Sequence, residues 1–364
     1  MEENVFYKLG MRLNEYPVKL PLVEPFLKVL REIYTEEEAQ LGSEYPMGSH
    51  DLPEAAKLLN RDQKKLGVML EKMADQGTMF TVKDKGVTRY SLTPFVPGVV
   101  EFQLMRAQDT PRDRRMAASF EELMEGEMAD LLRQLLAADK DALKNLIPVA
   151  PARTITIEKG LPSTSNVYPF EKASELISGE TSFSAAKCYC RHHAHLVNRD
   201  CQVKGIPEYS CLMFGKIADY IVDRGFGKRV TKEESLAIAK ACAEAGLVHN
   251  VNNFINGTVF MCNCCGCCCG FLRPLKQFKT DAMLAPSNFL VKVDAKECTG
   301  CETCVDRCPV DAMSMKDDVV AVDPAACIGC GNCTSVCPTE CLTMVRRAEN
   351  KPPRVDNALK AMGI

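Results

Sequence analysis

Between Pro21 and Gln40 the apolar residues Leu22, Val23, Phe26, Leu27, Leu30, Ile33 and Tyr34 recur three and four apart. That period puts them on one face, so the stretch predicts an amphipathic helix with a single buried stripe. Gly42, Pro46 and Gly48 break the pattern. Asp51-Leu52-Pro53-Glu54 then opens a short helix to Leu59, with the Asp51 carboxylate placed to cap its first free N–H groups. Beyond Asn60 a longer helix is predicted from Arg61 to Gln76, carrying the stripe Leu66, Met69, Leu70 and Met73 and stopping at Gly77. The period next becomes alternating: Met79 to Val82 and Thr88 to Leu92 read as strands of a hairpin around Lys83-Asp84-Lys85-Gly86. Helical patterning returns from Phe95 to Arg106 and from Arg114 to Leu146, the second with a stripe through Met116, Phe120, Leu123, Met128 and Leu132 that reads as core.

From Pro148 to Pro169 short apolar runs alternate with Pro, Gly and Ser, the pattern of a connector with a strand near Thr154 to Ile157. Helices are predicted over Phe170 to Ile177, Leu212 to Arg224 and Lys232 to Ala245, the last opened by a capping box of Thr231 and Glu234 and closed by Gly246. After Arg347 a proline-marked exit leads to a short helix, Val355 to Met362, expected to pack back on the body. The fold class expected is α+β and multidomain, with mainly helical N-terminal and middle regions. The expected boundaries are 1–110, 111–147, 148–287, 288–347 and 348–364.

At 364 residues the chain has room for several cores, and its formal charge of −3 gives no global reason to expect nucleic acid or an anionic membrane as main partner. Twenty cysteines change the picture. A disulfide scaffold of that density belongs to short exported chains, and the start Met1-Glu2-Glu3-Asn4 has neither a basic nor an apolar segment. No run approaches the roughly 18 apolar residues that cross a bilayer. The expectation is therefore a reducing cytoplasm, and, since thiolates are readily oxidised, an anaerobic host.

The cysteines fall in two regions. The C-terminal one contains Cys298-x2-Cys301-x2-Cys304-x3-Cys308-Pro309 and again Cys327-x2-Cys330-x2-Cys333-x3-Cys337-Pro338. Three thiolates at a two-residue spacing wrap three corners of an iron–sulfur cube and a distant fourth closes it, whereas zinc sites favour separated pairs. The two runs form an internal repeat with Val293 matching Val322 and Met315 matching Met344. Within it Cys341 falls where the first half has Ala312, so it reads as a small buried hydrophobe. From about Asn288 to Arg347 the chain resembles the bacterial dicluster ferredoxins. That resemblance implies a small pseudo-twofold fold of strands and short helices, low-potential one-electron transfer, and crossed ligation. Cys298, Cys301, Cys304 and Cys337 would hold one 4Fe-4S cluster, and Cys308, Cys327, Cys330 and Cys333 the other.

In the middle, Cys188-Tyr189-Cys190-Arg191-His192-His193 is followed by Cys201 and Cys211, then by Cys262-Asn263-Cys264-Cys265-Gly266-Cys267-Cys268-Cys269-Gly270. Adjacent residues in extended chain point to opposite sides, so these cysteines face one small site only if the backbone turns sharply at the glycines. The run resembles a family of cytosolic iron–sulfur proteins of anaerobes, and the resemblance implies at least one further cluster. Cys188, Cys190, Cys201 and Cys211 make one candidate ligand set; a split set drawing on Cys262, Cys264, Cys265 or Cys267 is another. Zinc and a thiol–disulfide relay are the competing chemistries. Cys242, inside a predicted helix, reads as core. His192, His193 and His195 read as surface residues, and Arg191 as a cation that could tune a cluster.

Three helices and a hairpin over Pro21 to Pro94 resemble winged-helix domains. Lys64, Lys65, Lys72, Lys83, Lys85 and Arg89 would then face DNA. Residues 1–100 carry 13 Lys plus Arg against 15 Asp plus Glu, however, so protein docking is the favoured reading. No haem-attachment, dinucleotide or phosphate-loop motif occurs in the sequence. The function expected is electron transfer between redox partner proteins, as a carrier or an oxidoreductase subunit. The alternatives are a redox-responsive DNA-binding regulator and a reductase acting at the middle centre.

Overall fold

A computed structural model gives the fold over residues 4–139, 150–161, 167–168, 171–278, 284–355 and 360. Three helices open it: α1 (Val5–Leu13), α2 (Glu24–Ile33) and α3 (Glu36–Glu44). The stripe over Pro21 to Gln40 predicts one helix, but the chain divides it at Thr35. There the Thr35 hydroxyl accepts from the Glu38 N–H at 3.3 Å while the Glu38 carboxylate accepts from the Thr35 N–H at 2.9 Å. This reciprocal cap satisfies two N–H groups that a new helix start leaves free, and three glutamates in the first turn complement its dipole.

A short strand β1 (His50–Asp51) leads into α4 (Leu52–Leu59) and α5 (Gln63–Gln76), followed by the hairpin β2 (Met79–Asp84) and β3 (Val87–Leu92). Asp51 caps α4 through the Glu54 N–H and Asp62 caps α5 through the Lys65 N–H, each at 2.9 Å. The three strands form an antiparallel sheet in the order β1-β3-β2. After a kinked turn over Phe95–Val99 come α6 (Val100–Met105), α7 (Pro111–Glu121) and α8 (Met128–Ala138). These helices bury Phe26, Leu30, Leu70, Met73, Met116 and Leu123 in one core. The predicted extension of the last helix to Leu146 lies outside the described residues, as does most of the predicted tail helix from Val355 to Met362.

The middle region is not mainly helical, which corrects the sequence expectation. It is built on a seven-stranded sheet of β4 (Ala152–Ile155), β5 (Phe183–Lys187), β6 (Tyr209–Phe214), β7 (Lys228–Arg229), β8 (Val248–Asn252), β9 (Phe260–Cys264) and β10 (Leu284–Ala285), ordered β10-β4-β8-β9-β6-β5-β7. Only the β10–β4 pairing is parallel. Helices α9 (Ala173–Ser178), α10 (Tyr189–Leu196), α11 (Gly215–Asp223), α12 (Lys232–Glu244) and α13 (Leu272–Phe278) complete it. Every residue of β8 is buried, and so is β6 from Ser210 onward. Strands covered on both faces lose the alternation that marks a strand in sequence. The helix predicted from Leu212 accordingly starts at Gly215, whose φ of +60° turns the chain out of β6.

At the C-terminus β11 (Phe289–Val293) pairs with β14 (Leu342–Arg346), and β12 (Met313–Lys316) with β13 (Val319–Val322); α14 (Thr303–Asp306) lies within the first ligand run and carries Cys304. The internal repeat is visible in the hydrogen bonding: Asp294 N–H donates to Cys341 O and Asp323 N–H to Ala312 O, both at 2.8 Å.

The parts are joined by polar contacts with apolar backing. Tyr220 on α11 donates to the Ala74 and Met79 carbonyls at 3.2 and 3.0 Å, and Arg224 pairs with Glu71 and Asp75, both at 2.8 Å. Phe80, Phe102 and Phe226 pack around the Tyr220 ring. On the other side, Arg307 donates to the Glu244 and Ala245 carbonyls at the end of α12, and Asn332 to the Gly246 carbonyl at 2.7 Å. Glu171 takes both arms of Arg346, at 2.7 and 3.0 Å, and an Asn288 amide at 2.7 Å.

Candidate metal centres

The C-terminal repeat brings its cysteines together in the crossed sense. Cys298, Cys301, Cys304 and Cys337 line a small cavity of about 10 Å³ with Gly300 and Val320. In the other half Cys330 and Cys333 lie in the electrostatic reach of Cys308 and Cys327. Thus Cys308 joins the second run and Cys337 the first. Gly300 and Gly329 hold φ of +67° beside the ligand positions, and a side chain at Gly329 would run into Ser287 and Phe289. Backbone N–H groups are aimed at the sulfurs: Gly300 and Val320 at Cys298, Thr303 at Cys301, Val310 and Ala312 at Cys308, and Asn332 at Cys330. Such donors stabilise thiolate before any iron binds. Burial opposes this and pushes Cys330 up to about 12. Cys341, read as core, is buried but faces the first cavity, with its sulfur 3.4 Å from that of Cys337. Cys301 is exposed, whereas Cys330 and Cys333 are buried.

The ten middle cysteines separate into two groups. Cys188, Cys190, Cys269, Cys264, Cys262 and Cys211 form a closed ring, each thiol in contact with the next and the last with the first. With Cys265 they line a second small cavity of about 10 Å³, the size of the one at Cys298. Cys188 and Cys190 come from the start of α10, Cys211 from β6, and Cys262 and Cys264 from β9; Cys269 closes the ring after the turn. The second group is Cys201, Cys265, Cys267 and Cys268, whose sulfurs all lie within 4.8 Å of one another. The structure therefore parts Cys201 from Cys188, Cys190 and Cys211, and brings in Cys268 and Cys269, which the candidate ligand sets omitted. The run from Cys262 to Cys269 feeds both groups because β9 ends at Cys264 and a tight turn follows, with Cys269 N–H bonded to Cys265 O.

Arg191 stands between the two groups, donating to the Asn263 carbonyl at 3.1 Å and to the Ser210 hydroxyl, within electrostatic reach of Cys188, Cys211, Cys265 and Cys264. Burial opposes its charge, but the surrounding sulfurs raise its pKa. The histidines do not face the thiols. His193 is buried, contrary to the surface reading; it bonds to Ala117 O at 3.1 Å and sits edge-on to Phe120, while burial lowers its pKa. His192 contacts Gln108 O and His195 contacts Asp200, both at 2.8 Å. Cys242 is fully buried beside the four-thiol group.

The inner C-terminal site and the six-thiol ring share a wall. Cys330 and Val310 bury with Cys264, Cys269 and Leu272 in one apolar cluster that Cys308, Cys327 and Cys262 border. Gly266 abuts Pro309, the residue after Cys308. Among the cations proposed for DNA, Lys72 pairs with Glu38 at 2.9 Å, Lys83 with Asp223 at 2.8 Å and Arg89 with Glu54 at 3.3 Å. Lys64, Lys65 and Lys85 remain exposed.

Residues 290–338 match the family of 4Fe-4S dicluster domains. No curated protein and no solved structure matches the chain. The family match supports an iron–sulfur protein with a C-terminal 4Fe-4S dicluster domain. No described helix is long and apolar enough to cross a membrane.

Proposed function

We propose that this chain passes single electrons between redox partner proteins of anaerobic metabolism, through two 4Fe-4S clusters and a third iron–sulfur centre in the six-thiol ring. The observation that carries the reading is the shared wall: ligands of the inner ferredoxin site and thiols of the ring bury in the same apolar cluster. Cys298, Cys301, Cys304 and Cys337 would hold the outer cluster, Cys308, Cys327, Cys330 and Cys333 the inner one. The ring would supply the ligands of the third from Cys188, Cys190, Cys211, Cys262, Cys264 and Cys269.

Bound there, 4Fe-4S clusters supply reversible one-electron chemistry. What the protein's own residues contribute is potential and direction. Exposed Cys301 gives the outer site a face for a partner, while buried Cys330 and Cys333 keep water from the inner one. N–H donors at the C-terminal sulfurs, and the Arg191 guanidinium at the ring, favour the reduced, more negative state, which raises the potential; burial works the other way. The N-terminal unit, read as a winged helix, supports docking rather than DNA binding, because its fifth helix and hairpin already carry ion pairs to α11 and to neighbouring carboxylates.

The test is an anaerobic preparation assayed for iron and sulfide, with a potentiometric titration followed by electron paramagnetic resonance. About twelve irons per chain and three reducible centres are expected. About eight, unchanged by Cys190→Ser, would confine the clusters to the C-terminal domain and end the reading of the ring as a cluster site.

A further inference from the structure

We infer that Cys201, Cys265, Cys267 and Cys268 bind one tetrahedral divalent ion of the zinc class, separate from the iron–sulfur centres. Zinc–thiolate bonds of about 2.3 Å at tetrahedral angles put neighbouring sulfurs about 3.8 Å apart. Here Cys201 lies 3.6 Å from Cys265 and 3.7 Å from Cys267, and Cys267 lies 3.7 Å from Cys268. All four sulfurs stay within 4.8 Å of one another, room for a single ion at their centre. The adjoining ring instead sets six thiols around a small cavity of its own, which Cys265 also lines. One region thus holds a four-thiol group spaced for a single ion beside a ring of six thiols.

The surroundings fit a closed, structural ion. Four thiolates fill a tetrahedral shell and leave no position for substrate or water. Ala194, Cys242 and Leu247 seal the site, with Val203 and Ile206 at its rim. Four thiolates around a divalent ion leave a net charge of −2. Backbone N–H groups of Gln202 and Val203 donate to Cys267 and Cys201, and the Arg191 guanidinium lies within electrostatic reach of Cys265. Zinc has no accessible redox change, so the ion stands outside the electron path. Its work is mechanical: it ties the loop at Cys201 to the turn at 265–268, and that same turn sets Cys264 and Cys269 into the ring and seats Gly266 on Pro309.

Full-length protein grown with both metals and purified without oxygen should contain one zinc per chain. Its zinc X-ray absorption should fit four sulfurs at about 2.3 Å. Cys201→Ser should lose that zinc while iron and sulfide in the folded fraction persist; Cys190→Ser, on the ring, should keep the zinc. Absence of zinc, nitrogen or oxygen ligands around it, a single iron in its place, or a Cys201–Cys267 disulfide found by peptide mapping would overturn the assignment. So would a Cys201→Ser protein that keeps zinc and loses about four irons. Should Cys201→Ser fail to fold, the absorption spectrum of the unmodified protein still decides. Because that spectrum reads zinc alone, failure here is distinct from failure of the electron-transfer reading, which iron and paramagnetic resonance report.

Discussion

Gly266 offers a direct test of how the cysteine-rich turn meets the dicluster domain. Its φ is in the range ordinary residues adopt, so alanine there is not excluded by backbone conformation. The obstacle is steric: an added Cβ would overlap the Pro309 carbonyl oxygen and lie 3.0 and 3.1 Å from Pro309 C and Cα. These are backbone atoms and cannot rotate away. Pro309 follows Cys308, so relief requires the turn and the ligand loop to separate by roughly 1 Å, an overpacking cost of about 2 kcal/mol. With a urea m value of about 3 kcal/mol/M the unfolding midpoint should fall by about 0.7 M. Gly270, a few residues on, has nothing within 4 Å of an added Cβ, so Gly270→Ala should stay within about 0.5 kcal/mol of the parent. Anaerobic urea titrations followed by far-ultraviolet circular dichroism would compare the two. Equal midpoints for both variants would refute the contact, and with it the close seating of the turn on the dicluster domain.

Other outcomes follow from the same contacts. Glu171→Gln leaves Arg346 largely buried against a neutral partner and should cost about 3 kcal/mol, with Glu171→Gln/Arg346→Leu recovering part of it in thermal melts. Tyr220→Phe removes two hydrogen bonds to the N-terminal unit and should cost about 1–2 kcal/mol; quicker proteolytic release of that unit is the readout. Glu101 is buried, which raises its pKa to about 7 against the bond from the Gly98 N–H. A carboxyl raised in the fold stabilises fully below its unfolded value near 4.5 and loses that contribution as pH climbs through about 7. Glu101→Gln should therefore be neutral at pH 5 and stabilise by about 1–3 kcal/mol at pH 8, and equal effects at both pH values would count against the buried carboxyl.

The dicluster segment was legible because its ligands are contiguous and repeat, so spacing alone carries the geometry. Cys341 shows the limit of that reading: the repeat identifies its Ala312 equivalent, but only the pairing of β11 with β14 turns its sulfur toward Cys337. In the middle region the types of residue were legible and their partition was not. Cys201 and Cys211 are close in sequence, yet Cys211 lies in β6, inside the sheet, while Cys201 stays in the preceding loop. The alternation rule forbids one site for Cys264, Cys265, Cys267, Cys268 and Cys269, and the fold resolves the conflict with two sites. The sheet itself escaped notice because β6 and β8 are buried on both faces and offer no period. The Thr35–Glu38 capping box went unread because it lies inside a continuous apolar stripe.

The way α12 ends has a bearing on how this molecule could have been assembled. Arg307 supplies donors for the last carbonyls of that helix and Asn332 one for Gly246 just beyond it, both from the dicluster domain, and β10, just before the domain, adds an edge strand to the seven-stranded sheet. A ferredoxin carried as a portable cassette would meet its host through a tether. Here, excising it would strip a helix end of its partners and cut the chain right after a border strand of the sheet, so the unit behaves as a built-in wall of its neighbour, and grafting in a foreign ferredoxin would have to replace those donors as well as the clusters.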